Sequence, residues 1–205
     1  MQGTFTHAAV WACAAAAFYG VARLGEVTTR TLQSFDASKH VTPSCLRPGR
    51  DRNDLIVTVL SLPITKTAPD GEDIYWARQV NGADPDDTML NHLSINAPRA
   101  NEHLFTHTVK GQCRPLSHAC FLQHVNTILC VPGSQPIYGH GFRIGGTLEY
   151  LLCGIPFEAV KAKGRWASDA FHVYLRQHAQ ILAPHMQPHP ELHTHFLQYT
   201  IPSVN

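Results

Sequence analysis

The chain has 205 residues, 44% of them hydrophobic, with a formal net charge of +1. That length and apolar content exclude an intrinsically disordered chain and are enough for one domain with its own core. The near-neutral total argues neither for nor against a nucleic-acid partner.

The distribution of charge says more. Residues 23 to 66 carry seven Lys/Arg against four Asp/Glu, residues 110 to 178 seven against three, and residues 70 to 102 two against seven. One face toward phosphates and another toward water would give this asymmetry; so would chance clustering of solvated charges. Six cysteines, Cys13, Cys45, Cys113, Cys120, Cys130 and Cys153, form no Cys-x-x-Cys pair. They read as free thiols in a reducing compartment rather than as a zinc site.

Ala8 to Ala22 is an uncharged, mostly apolar run of fifteen residues. It is short of the ~20 residues a membrane span needs, and no basic segment precedes it as in a signal peptide. Its alanines predict a core helix over 7–20. Gly20 and Gly25 bracket Val-Ala-Arg23-Leu, and a second helix is expected from Glu26 to Leu32. Glu26, one turn after Arg23, is placed to hold that guanidinium. The bland reading of Arg23 is a surface arginine after a buried helix.

Residues 36–54, rich in Asp, Ser, Pro, Gly, Lys and Arg, read as a loop. Leu55 to Leu60 is β-branched and short, a strand. Pro69-Asp70-Gly71 is a turn signal, and Asp73 to Ala77 can return as the partner strand. Lys66 then sits just before the hairpin tip, where a lone lysine is usually a solvated charge. Asp84-Pro85 reads as an N-cap with proline at the first helical position, opening a helix over 85–96.

Leu104-Phe105 is a short apolar segment before Gly111. Ser117 caps a helix to about Cys130, with apolar residues at 121, 122, 125, 128 and 129, ended by Pro132 and Gly133. His107, His118 and His124 are expected on polar faces. A helix over 140–152 turns Phe142, Leu148, Leu151 and Leu152 inward, and Gly154 ends it. Pro156 starts the next, which ends near Gly164. Ser168 caps a last helix from 169 to about 182. Beyond Pro184, His185, His189, His193 and His195 lie among prolines. Histidines at i and i+4 could share a metal, but Pro188 and Pro190 oppose the helix this needs, so a flexible or partner-docking tail is the better reading. There are no internal repeats.

Four motifs stand in order: Ala22-Arg23-Leu24-Gly25-Glu26, Thr65-Lys66-Thr67, His140-Gly141-Phe142-Arg143, and Gly164-Arg165-Trp166 leading to Tyr174. On a helix start, His140 and Arg143 share a face. A phenol, an imidazole and guanidinium groups suit chemistry on a phosphate. The set resembles the tyrosine recombinase (phage integrase) family, and within it the recombinases of fungal mobile elements of the Crypton type. Each motif alone is weak; four in order, spanning residues 15 to 176, make a specific signal.

The resemblance implies an α+β, mainly α fold with a small antiparallel β-hairpin or sheet. Residues 1–183 would be the catalytic domain, without the DNA-clamping domain that usually precedes it, and residues 184–205 a Pro/His-rich tail of the kind that often docks on a neighbouring protomer. The implied reaction is cleavage and rejoining of DNA strands through a covalent 3′-phosphotyrosine, as in DNA integration. Tyr174 would be the nucleophile. Its ordinary pKa of ~10 leaves about one phenol in a thousand ionised at pH 7, so it needs help. Arg23 and Arg143 would grip the phosphate oxygens, with Glu26 in support. His140 would accept the proton or donate to the phosphate, and Lys66 would protonate the departing 5′-oxygen.

Most family members carry His or Trp nine residues before the nucleophile. Here Arg165 is nine before Tyr174 and Trp166 eight. The Gly-Arg-Trp form of the fungal branch makes Trp166 the equivalent, its indole N–H donating to the phosphate; Arg165 is the other candidate, and core packing the bland reading of Trp166. Tyr150, in an apolar helix, is expected buried, and Tyr199 lies beyond the match. The expected partner is double-stranded DNA, bound by a homotetramer in the nucleus, with no cofactor, no metal and no membrane. The rival readings are a non-catalytic, DNA- or protein-binding remnant of a mobile element and a type IB topoisomerase-like nicking activity.

Overall fold

The alanine run does become a helix, and its small side chains let neighbours pack almost all round it. The computed structural model describes residues 2–51, 53–80, 84–129 and 135–166. Helix α1 spans Gln2–Tyr19, and Ala8, Ala9, Val10 and every residue from Ala12 to Ala17 are buried. The chain divides into two compact units, residues 1–146 and 147–205, and a hydrophobic cluster lies in each.

In the first unit the helix expected over 26–32 is a single turn, α2 (Leu24–Val27). The Thr28 hydroxyl donates to the Leu24 carbonyl at 2.8 Å, and the chain then runs extended. Thr29 N–H donates to Leu116 O at 3.1 Å, and His118 N–H to Thr29 O at 2.8 Å. This bridge to a distant segment satisfies backbone groups that a longer helix would have satisfied locally. A 3-10 turn at Leu32–Ser34 follows.

A three-stranded antiparallel sheet comes next: β1 (Leu46–Arg50), β2 (Ile56–Leu62) and β3 (Glu72–Trp76), in that spatial order. The β2–β3 hairpin follows the expected pattern. Strand β1 lies inside the segment read as a loop; its Pro48 and Gly49 disguise it, and an edge strand tolerates both. Leu60, Leu62, Ile74 and Trp76 turn inward beside α1, while Asp73 and Tyr75 face out, the period of two that a half-buried sheet requires.

Helix α3 (Pro85–Asn96) starts where Asp84 accepts the N–H groups of Asp86 and Asp87 at 2.7 and 3.1 Å. Asp86 also receives the Thr58 hydroxyl at 2.7 Å and the Trp76 indole N–H at 2.8 Å, tying the sheet to α3. A second small hairpin, β4 (His107–Val109) and β5 (Gln112–Arg114), turns at Gly111 and was not expected. Helix α4 (His118–Leu129) is capped by Ser117, whose hydroxyl accepts Cys120 N–H at 3.3 Å. Helix α5 (His140–Leu152) matches its expected bounds, and the division between the units falls inside it.

His107 corrects the polar-face expectation. It is buried, as are His92 and His103, because β4 packs on α1; its Nε2 lies 3.9 Å from Cys120 Sγ. His118 and His124 are half-buried.

The second unit holds the rest of α5 and α6 (Phe157–Lys163), after Gly154 in the left-handed region at φ +79°. Leu151 and Val160 form its core, with Leu148, Phe157 and Trp166 against them. Tyr150, expected buried, is half-buried, with Lys163 Nζ 4.8 Å from its ring centroid. The helix expected after Ser168, Tyr174, Tyr199, the histidine-rich tail and the boundary at residue 184 all lie outside the described residues. Among the described residues, no helix is long and apolar enough to cross a membrane, and the five cysteines are free thiols.

Candidate active site

The site begins where α1 stops. A Cβ on Gly20 would meet the Ala16 carbonyl oxygen at 2.5 Å and Ile74 Cδ1 at 2.9 Å, so only glycine fits there. Val21 then takes φ +50°, a left-handed conformation that β-branched residues rarely adopt. Such strain costs about 1–3 kcal/mol. The turn is held by Val21 N–H donating to Phe18 O at 3.1 Å and Ala22 N–H to Ala17 O at 2.9 Å. The Val21 carbonyl accepts a hydrogen bond from Arg143 Nη1 at 3.0 Å. Arg143 is thus anchored to a carbonyl two residues before Arg23, 120 positions away in the sequence.

Arg23 is the N-cap residue of α2, and Glu26 is its third helical residue. One oxygen of Glu26 accepts Arg23 N–H at 2.8 Å, and the other accepts Arg23 Nη1 at 2.8 Å. A single carboxylate therefore fixes both the backbone and the guanidinium. The Glu26 side chain is 7% exposed and that of Arg23 35%, so the arginine keeps an open edge.

Helix α5 reaches this turn because its start and its middle carry glycines. A Cβ on Gly139, just before α5, would meet Leu24 Cδ2 at 2.8 Å; one on Gly146 would clash with the Phe18 carbonyl oxygen. Asn126 on α4 holds the preceding segment, donating from Nδ2 to Ile137 O at 2.9 Å and accepting Ile137 N–H at 2.7 Å. Phe142 packs edge-on to Phe121, ring centroids 5.1 Å apart. These contacts seat Arg143 with no exposed surface at all. His140, one turn earlier, is exposed.

Lys66 lies in the β2–β3 connection and is exposed. Its base is built by Thr65, which is buried: the hydroxyl donates to Glu72 Oε1 at 2.5 Å and accepts Ala68 N–H at 3.0 Å. Gly71, at φ +87°, closes the turn. Among the described contacts none joins Lys66 to either arginine.

Arg165 and Trp166 belong to the second unit, where they end α6. Arg165 N–H donates to Ala162 O at 2.9 Å and Trp166 N–H to Lys161 O at 3.2 Å, the paired bonds of a Schellman cap. Arg165 holds the left-handed position at φ +59°, usually given to glycine. Gly164 is needed instead because the Trp166 ring folds back over it and leaves no room for a Cβ. Gly-Arg-Trp thus forms a helix stop. Burial lowers the pKa of Lys163 to about 8.

The described residues pair Arg23 with Glu26 and anchor Arg143 to the Val21 carbonyl two residues before Arg23, with His140 one turn earlier on α5. Sequence reasoning did not pick out Val21, Asn126 or the glycine contacts. The Gly145-Gly146 pair after Arg143 was the one visible signal of a close helix approach.

The chain matches no family profile and no curated protein. Its fold is similar to that of three solved structures: an FLP recombinase–Holliday junction complex (TM-score 0.54, 14% identity), a Flpe mutant–DNA Holliday junction complex and a Flpe–Holliday junction complex (both TM-score 0.55, 15% identity). In each case the similarity covers 82% of this chain and 41% of the other, so the chain spans less than half the length of these proteins. The mixed helix–strand fold with small antiparallel sheets resembles the FLP tyrosine recombinase catalytic domain.

Proposed function

We propose that the chain cleaves and rejoins DNA strands through a covalent 3′-phosphotyrosine. The observation that carries this reading is the anchoring of Arg143 to the Val21 carbonyl, two residues before Arg23, on a fold like that of FLP recombinase. Two guanidinium groups can take the non-bridging oxygens of one phosphodiester. Tyr174 Oη attacks the phosphorus and the 5′-oxygen leaves. His140 accepts the phenolic proton or donates to the phosphate, and Lys66 supplies a proton to the leaving oxygen. The phosphotyrosyl bond keeps the phosphodiester energy, so a second 5′-hydroxyl can reverse the step on another strand. Trp166 donates its indole N–H to the phosphate, with Arg165 as the alternative at that position. A preorganised donor of this kind supplies roughly 3–4 kcal/mol, a factor of a hundred or more in rate.

The partner in this reading is double-stranded DNA, supported by neighbours that are DNA junction complexes. The acting form is a homotetramer on paired sites, of mobile-element type and nuclear, with residues 1–183 as the catalytic domain. The full burial of Arg143 favours a second reading, a DNA-binding protein without cleavage activity, because a phosphate reaches Arg23 from solvent but not Arg143.

A nicked suicide DNA substrate separates the readings. A protein–DNA adduct on a denaturing gel, lost in Tyr174→Phe, is the expected result. No adduct across varied DNA, with binding retained, overturns the first reading in favour of the second. Relaxation of supercoils by a lone protomer would point to topoisomerase-like nicking.

A further inference from the structure

Away from the arginines, α1 and α4 each present a histidine to the other. His7 Nδ1 lies 3.3 Å from His124 Nε2, and the rings sit 5.5 Å apart at 51°. Trp11, one turn after His7, stacks beside it with ring planes 9° apart. Val10, Trp11, Val125, Ile128 and Leu129 complete a groove that is apolar apart from the two imidazoles. His7 is exposed and His124 half-buried, so solvent reaches both rings.

Two neutral imidazoles at this separation share one proton between a donor and an acceptor. The same separation has a second meaning. Zinc–nitrogen bonds of about 2.0–2.1 Å at a tetrahedral angle place two ligand nitrogens about 3.3–3.4 Å apart. The observed 3.3 Å matches the edge of a first-row metal's coordination shell.

We propose that His7 and His124 form a two-imidazole site for a divalent first-row transition ion, zinc or copper in class, that cross-links α1 to α4. Among the described residues, no third His, Cys, Asp or Glu completes a cluster, so the two imidazoles are the ligands the proposal names. Such an open site binds less tightly than a closed four-ligand one, and copper binds more tightly than zinc. The consequence is mechanical. Helix α1 ends in the Val21 turn, and α4 carries Asn126, which holds the segment leading into α5. A metal joining the two helices braces both supports of the arginine pair, and it does so whether or not the chain cleaves DNA.

The test uses the full chain stripped with a chelator. Zinc is titrated by calorimetry and thermal melting, and copper by quenching of tryptophan emission, because Trp11 lies against the site. The expected result is a single saturable equivalent, a rise in Tm and quenching of emission. His7→Ala and His124→Ala each abolish all three. A variant with His185, His189, His193 and His195 all changed to alanine keeps them. Trp11→Phe removes the quenching but keeps the heat of binding. Both histidines are at least partly exposed, so these variants fold; His7→Gln and His124→Gln, checked by circular dichroism, serve as conservative substitutes. The proposal is overturned if zinc gives neither heat nor a Tm shift, if both signals survive His7→Ala and His124→Ala, or if they vanish in the tail variant.

Discussion

The buried histidines predict a specific loss of stability in mild acid. His103 is 1% exposed, its Nδ1 accepts Phe105 N–H at 3.2 Å, and the rings of Phe35 and Phe105 lie 5.7 and 6.0 Å from its own. A second proton on that ring would break the hydrogen bond and place a charge among aromatics. Burial, then the charges of His40, His92 and His107, push its pKa down to about 3. Burial first, and then His92, lowers His107 to about 4. The unfolded value is 6.5, so below pH 6.5 the unfolded chain takes up protons that the folded chain refuses. Stability is therefore intact above pH 6.5 and is lost as pH falls toward 4 and then 3. At pH 5 each of these two histidines costs about 2 kcal/mol, about 4 kcal/mol together. That is a large part of the roughly 5–15 kcal/mol that holds a domain folded. Burial lowers His92 as well, in the same sense. The carboxylates do not confuse the window: Asp36 is lowered to about 2 and Asp84 is also lowered, so their contributions fade only at more acid pH. Urea unfolding followed by circular dichroism at pH 7.5, 6.5, 5.5 and 5.0 measures the slope. His103→Phe should flatten it, since phenylalanine takes no proton. A midpoint that does not move between pH 7.5 and 5, or a slope untouched by both His103→Phe and His107→Phe, refutes the reasoning.

Three other perturbations bear on the candidate site. Glu26→Gln keeps the size but removes the charge that holds Arg23; a partly exposed ion pair is worth about 0.2–1 kcal/mol, so adduct formation on a suicide substrate should fall by up to about fivefold. Gly146→Ala drives a methyl into the Phe18 carbonyl oxygen and pushes α5 off the end of α1. Overpacking of this kind costs about 1–3 kcal/mol, read as a lower Tm by differential scanning calorimetry. Thr65→Val removes the hydroxyl that joins Ala68 and Glu72, loosening the loop under Lys66. It should lower the cleavage rate while leaving DNA affinity, measured by fluorescence anisotropy, nearly unchanged.

What could be read from the residues depended on whether the signal was local. Asp84-Pro85 opens α3 as expected because an N-cap and its proline act within one turn. The bounds of α5, the end of α6 and the β2–β3 hairpin were legible for the same reason. The errors share a different cause. Glu26 to Leu32 carries only a weak local signal against helix, the β-branched Val27, Thr28, Thr29 and Thr31; the competing partner, Leu116, is 87 positions from Thr29. Strand β1 contains Pro48 and Gly49, which signal a turn unless the strand is known to lie at an edge. His107 looked polar because histidine usually is, and only the packing of β4 on α1 buries it. At the site, the pairing of Arg23 with Glu26 followed from spacing alone. The strained turn at Val21 did not, since no residue there advertises a positive φ.

That strained turn decides how the arginines should be tested. Arg143 has no exposed surface, and its guanidinium donates to the Val21 carbonyl. Removing it leaves a buried carbonyl that has lost a donor, costing about 1–3 kcal/mol before any chemistry is considered. An inactive Arg143→Ala protein would therefore be explained as well by a loosened fold as by a lost phosphate grip. Arg23 does not have this ambiguity. Its side chain is 35% exposed, and the backbone N–H bond to Glu26 survives any substitution except proline. The Arg23–Glu26 ion pair, being partly exposed, contributes only about 0.2–1 kcal/mol to stability. Arg23→Lys should then melt within a few degrees of wild type. A lysine is a point charge without the planar fork that meets two phosphate oxygens, so adduct formation should fall a hundredfold or more. If Arg23→Lys instead cleaves at the wild-type rate, the guanidinium at the head of α2 is not gripping a phosphate. If it unfolds as readily as Arg143→Ala, the open edge of Arg23 is structural, and the turn at Val21 exists for the fold alone.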